Sequence, residues 1–89
     1  MEIKVYRVIV ELTHDDVDMD MCPTTSDETI WDNTVASKKE AIRQAQSKFD
    51  RQPLNDYVHQ VWARVYPVTI TDKESVQGER IYNKFKSNN

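Results

Sequence analysis

One cysteine and one glycine are all that 89 residues contain of either type, and each scarcity excludes a class of protein. The lone thiol, Cys22, has no cysteine to pair with in the chain, and with only His14 and His59 beside it there are too few nitrogen and sulfur ligands for a four-coordinate structural zinc. A reducing, intracellular setting is the expectation. The single glycine, Gly78, rules out a phosphate-cradling loop, which needs several glycines to bring its backbone amides close. No apolar run approaches the roughly 18 residues needed to span a bilayer, and the alternating start MEIKVYRVIVEL is unlike a signal peptide. These absences describe a soluble, cytoplasmic, single-domain protein (residues 1–89) without cofactor, metal or membrane contact. A chain of this length hides roughly 60–68% of its unfolded surface, enough for one modest core.

Positive charge is missing from a whole third of the chain. Residues 8–37 contain no Lys or Arg but eight acids, whereas residues 38–89 carry ten basic against six acidic side chains, so the net charge of -3 conceals two halves of opposite sign. Six of the acids, Asp15, Asp16, Asp18, Asp20, Asp27 and Glu28, fall between positions 15 and 28. They make a concentrated negative field suited to a basic surface on another macromolecule. Met19, Met21 and Val17 interleave with them and offer adaptable apolar contact.

The strongest local signal is Thr34 to Phe49. Ser37 followed three residues later by Glu40 is a capping box, in which the Ser hydroxyl accepts the Glu40 N–H and the carboxylate reaches back to the Ser37 N–H. Ala41, Ile42, Ala45 and Phe49 then recur at helical spacing, giving a narrow, mostly alanine face that can lie close on a sheet. Pro53 ends the helix near residues 50–52.

Strands are expected on both sides of that helix. Ile3 to Leu12 alternates Tyr6, Val8, Val10 and Leu12 against Ile3, Val5, Arg7, Ile9 and Glu11, and two substantially apolar faces suit a central strand. Thr13 to Asp27, crowded with turn formers, reads as a long acidic loop. Glu28 to Ala36 reads as a second strand, with Trp31, Asn33 and Val35 on one face. Asp56 to Ile70 reads as a third, with Tyr57, Val61, Ala63 and Val65 toward the helix and Val58, Trp62, Arg64 and Tyr66 away from it; Pro67 points to an edge position or a bend there. Beyond it, Val76, Ile81, Tyr82 and Phe85 allow a short helix over 79–86 or a fourth strand, with 87–89 frayed. The fold class is α+β: a small antiparallel or mixed sheet in β-β-α-β order, strand one central, with one helix on one face.

Three constellations could carry function. Asp16, Asp18 and Asp20 are spaced like the start of a calcium loop, but Met21 stands where that loop needs Gly, and Asp27 where it needs a bidentate Glu. The group reads as a solvated acidic segment. Cys22 lies among carboxylates, which favour the neutral thiol over a nucleophile, so no catalytic residue is assigned. The sheet face away from the helix would gather Arg7, Trp31, Trp62, Arg64 and Tyr66, a set able to stack single-stranded nucleic acid, to anchor a foreign protein, or to be covered by a second copy of the chain. Net acidity counts against nucleic acid, because phosphate contacts supply much of such affinity.

The junction Thr34-Val35-Ala36-Ser37-Lys38-Lys39-Glu40-Ala41, with its flanking strands, resembles a recurring β-β-α-β pattern of small phage-encoded accessory proteins, anti-CRISPR proteins among them. The resemblance implies a non-enzymatic inhibitor or adaptor, monomeric or homodimeric, that occludes a basic nucleic-acid-binding surface of a host protein. It transfers no functional residue.

Overall fold

The computed structural model describes residues 2–17, 23–72 and 74–88. Its elements are β1 (Ile3–Val17), β2 (Pro23–Val35), α1 (Lys38–Arg51), β3 (Val58–Ile70), β4 (Ser75–Gln77) and β5 (Tyr82–Ser87). All strand pairings are antiparallel, and the ladder runs β2-β1-β3-β4, with β5 sharing the outer edge of β3. No described helix is long and apolar enough to cross a membrane.

The helix forms where its cap and spacing put it. Ser37 has extended backbone angles, and its hydroxyl accepts the Glu40 N–H at 3.3 Å. The return arm of the capping box is replaced: the Glu40 carboxylate instead accepts from Arg43 and Gln44. Ala41, Ala45 and Phe49 are buried, while Ile42 is only half-buried. Facing them are Val8, Val10 and Leu12 of β1 and Val58, Val61, Ala63 and Val65 of β3. Val8, Val10, Val61 and Val65 are fully buried, each worth roughly 1.5–3 kcal/mol against the exposed state. The helix C-terminus is tied to β5 by Lys86, whose Nζ donates to the Phe49 carbonyl at 2.8 Å and sits 4.5 Å over the Phe49 ring. A cation at that end complements the helix dipole.

Four expectations are corrected. Over the described residues the long loop is not a loop: β1 continues to Val17 and β2 begins at Pro23, so 13–17 and 23–27 pair as an antiparallel arm, while residues 18–22 lie outside the described ones. The third strand is not an edge, because β4 and β5 pair along its outer side. Pro67 is tolerated there because it falls between Val68, the first residue paired to β4, and Val65, the last paired to β5. Of the two alternatives for the C-terminal segment the strand is the one that forms, and the fraying expected from residue 87 is not found at 87 and 88, where Asn88 donates to the carbonyls of Asn55 and Val58. Finally, an extra residue in β3 at His59 shifts the alternation, turning Val58 toward the helix and leaving Tyr57 55% exposed.

The 78–80 turn that joins β4 to β5 runs hard against β3. The Gly78 N–H donates to the Pro67 carbonyl at 2.9 Å, and a β-carbon at Gly78 would lie 2.8 Å from Pro67 Cγ. Only glycine fits this approach without a shift of the proline ring.

Candidate functional site

The acidic arm is a two-stranded ribbon. Pairing of β1 with β3 stops at His14↔Val58, followed by a single bond from the Asp15 N–H to the Tyr57 carbonyl at 2.9 Å. The β1–β2 ladder continues past it through Asp15↔Thr25, Asp16↔Thr24 and Val17↔Pro23. Among the described residues no acid stands directly opposite an acid: Thr13 faces Asp27 and Leu12 faces Glu28. Like-charge repulsion across the ribbon is thereby avoided.

Each described carboxylate of the arm has a light partner. Asp15 Oδ1 lies 2.5 Å from His59 Nε2, Asp16 accepts the Ser26 hydroxyl at 2.7 Å, and Asp27 accepts the Thr13 hydroxyl at 2.8 Å. Glu28 lies 3.4 Å from His14 Nε2, and the His14 ring stacks on Tyr57 with centroids 5.1 Å apart. These partners of Asp15, Asp27 and Glu28 are hydroxyl and imidazole groups. Asp15 and Glu28 keep 52% and 60% of their side chains exposed. By strand alternation Asp15 and Asp27 lie on the side away from α1, and Asp16 and Glu28 on the helix side. The ribbon is thus negative on both sides. Asp18, Asp20 and Cys22 lie outside the described residues; among those described, no group of three or more His, Cys, Asp or Glu is arranged to hold a metal ion.

The sheet face away from α1 gathers four of its five expected residues. Arg7, Trp62, Arg64 and Tyr66 are there. Trp31 is not: it pairs with Val10 on the helix side, donates from Nε1 to Gln44 Oε1 at 3.3 Å, and lies under Lys48 Nζ at 4.1 Å from the ring centroid. Asn33 donates to the same Gln44 oxygen at 3.0 Å, so Trp31 helps latch β2 to the helix instead of offering a stacking surface.

The arginines of that face are already engaged. Arg7 grips Asp32 in two parallel bonds, Nε to Oδ1 at 3.1 Å and Nη2 to Oδ2 at 2.8 Å. Those hydrogen bonds, more than the bare charges, raise the Arg7 pKa and lower that of Asp32. Arg64 forms an ion pair with Glu11. Tyr66, nearly buried, is flanked by the guanidinium groups of Arg64 and Arg80, each 5.8 Å from its ring centroid. Phe85 of β5, 52% exposed, stands beside Trp62 with ring centroids 5.6 Å apart.

No family model, curated protein or solved structure matches this chain. Function has to be argued from its own residues. Sequence reasoning missed Phe85 and Arg80, which join the face because the last segment is a strand and a turn, and it missed the carboxylates Asp32 and Glu11 that occupy the two arginines. No alternation marks Phe85: Tyr82 and Phe85 are three residues apart, a spacing that also suits a helix, so only the pairing with β3 assigns its face.

Proposed function

We propose that this protein is a non-enzymatic binding module whose acidic arm occupies a basic groove of a partner protein, in the manner of an inhibitor or adaptor that occludes a nucleic-acid-binding surface. The observation that carries the reading is the two-sided negative ribbon at residues 13–17 and 23–28, held in strand form by hydroxyl and imidazole partners that leave its net charge negative. A groove that holds a polyanion is lined by Lys and Arg on both walls, and a ribbon with acids on both sides meets both walls at once. Because the ribbon is already paired, little backbone freedom is lost on docking. A nucleic-acid role for the sheet face has less support: Arg7 and Arg64 would have to leave Asp32 and Glu11 to reach a phosphate.

Tagged wild type and an Asp15→Asn, Asp16→Asn, Asp27→Asn, Glu28→Gln variant, which keeps one acceptor oxygen at each position, are used as baits in cell lysate. The wild type is expected to retain a nucleic-acid-binding protein that is released by added nucleic acid and by salt, and the variant to lose it. Equal recovery by both baits, or a partner indifferent to nucleic acid, refutes the proposal.

A further inference from the structure

On the face opposite α1, Ile9 is the centre of a cross of charges. It pairs sideways with Asp32 of β2 and Arg64 of β3, while Arg7 and Glu11 stand two residues before and after it on β1 and share its face. The cations occupy one half of the cross and the anions the other. Arg80, beside Tyr66, extends the cationic half, and Asp27, across from Thr13, extends the anionic half. Val5, Val68 and Ile70 line part of an open cleft of about 700 Å³ that also takes in Arg7, Asp32 and Gln77, and Trp62 with Phe85 lies on the other side of the cross.

Such a face is neutral in sum and polar in layout. A polyanion would be drawn to one half and repelled by the other, whereas a second copy turned to reverse the pattern matches it completely. Four two-fold axes in the plane of the face can be compared. An axis along β1 sets Arg7 over Arg7 and Glu11 over Glu11. One at right angles to β1 sets Asp32 over Asp32 and Arg64 over Arg64. Both diagonal axes exchange the along-strand and across-sheet directions: one sets Arg7 over Arg64 and Glu11 over Asp32, and the other sets Arg7 over Asp32, Glu11 over Arg64, and Ile9 over Ile9. The spacings agree well enough, since two residues along a strand span roughly 6.6 Å and adjacent strands lie about 4.8 Å apart. Sheets related in this way cross near 90°, one of the two common modes of face-to-face sheet packing.

We infer that this face is the interface of a symmetric homodimer in which two sheets cross near 90° over Ile9, with Arg7 of each copy meeting Asp32 of the other and Glu11 meeting Arg64. The interface is isologous, as two-fold contacts are. Its central contacts, Ile9 with Arg7, Glu11, Asp32 and Arg64, lie outside the arm, so loss of arm binding leaves it standing.

Sedimentation equilibrium and native mass spectrometry of the full chain at tens of micromolar test the inference, with far-ultraviolet circular dichroism to confirm folding. Wild type is expected to be a dimer. Ile9→Lys, which places an unpaired ammonium at the centre, is expected to raise the dimer dissociation constant about 100-fold or more. The paired swap Arg7→Asp with Asp32→Arg keeps the intrachain ion pair and, in the diagonal arrangement, still matches itself, but it sets like charges against wild type. It should form its own dimers and no mixed ones; if it does not fold, Glu11→Arg with Arg64→Glu makes the same test. A monomeric wild type, an Ile9→Lys dimer of unchanged affinity, or free mixing of swapped and wild-type chains overturns the inference. So does a monomer whose tryptophan fluorescence is quenched by single-stranded oligonucleotide, which would assign the face to nucleic acid.

Discussion

Ala45 is the residue on which the distance between helix and sheet depends. It is fully buried, and it belongs to the same cluster as Val8, Val10, Val61 and Val65, each of which is also fully buried. Replacing it by Leu adds three carbons where no room exists, and the helix must lift or its neighbours leave their rotamers. Overpacking of this kind costs about 1–3 kcal/mol. Each kcal/mol lowers the melting temperature of a domain this size by about 4–8 °C, so Ala45→Leu should melt roughly 4–24 °C below wild type. Gln46→Leu is the control: Gln46 is exposed, Leu and Gln differ little in helix propensity, and the change should stay within about 0.5 kcal/mol. Thermal melts followed at a helix wavelength, repeated as urea titrations, read the difference. If Ala45→Leu is as stable as Gln46→Leu, α1 does not pack on the sheet through its alanines, and the account of the core fails.

Two other outcomes follow from particular contacts. Gly78→Ala should destabilise by about 1–3 kcal/mol, because the new methyl meets Pro67 Cγ at 2.8 Å; an unchanged urea midpoint would mean the turn moves away freely. In acid, stability should fall as pH drops: hydrogen bonds from Arg43 and then Gln44 hold the Glu40 carboxyl down from 4.5 to about 2, and Arg7 lowers Asp32. A carboxyl depressed in the folded state contributes stability that is present above its unfolded value and lost as pH falls through its folded one. The slope of stability against pH between 4.5 and about 2 should therefore be shallower in Glu40→Gln; an identical slope would contradict the assignment.

The helix was legible because its signals are local: a cap at Ser37 and apolar residues three and four apart need no knowledge of the rest of the chain. The grouping of alternating residues in β1 was legible for the same reason. What depends on register was not. Trp31, Asn33 and Val35 do share a face, but which face is decided by the pairing Val10↔Trp31, and no local signal carries it. The arm was hidden more thoroughly. Thr13 to Asp27 is dense in turn formers, and each alone disfavours a strand. Paired, they suit one another: Thr24 and Thr25 stand opposite Asp16 and Asp15, and hydroxyls of Thr13 and Ser26 reach carboxylates.

Two departures from regular pairing convert the sheet into the arm. Between Val10 and His14 the ladder of β1 is interrupted on both sides, by an extra residue in β2 at Ile30 and an extra residue in β3 at His59. Each inserts one residue and so exchanges the two faces of its strand from there outward. In β3 the exchange buries Val58 and leaves His59 free to reach Asp15. In β2 it sends Glu28 to the helix side, beside His14, and Asp27 to the opposite side, beside Thr13. With strict alternation the two would be reversed, putting Asp27 beside His14 and Glu28 away from it. The partners that hold Asp15, Asp27 and Glu28 in the arm thus depend on an insertion in a neighbouring strand, and strict period-two reading of the sequence fails at the point where the core ends and the acidic arm begins.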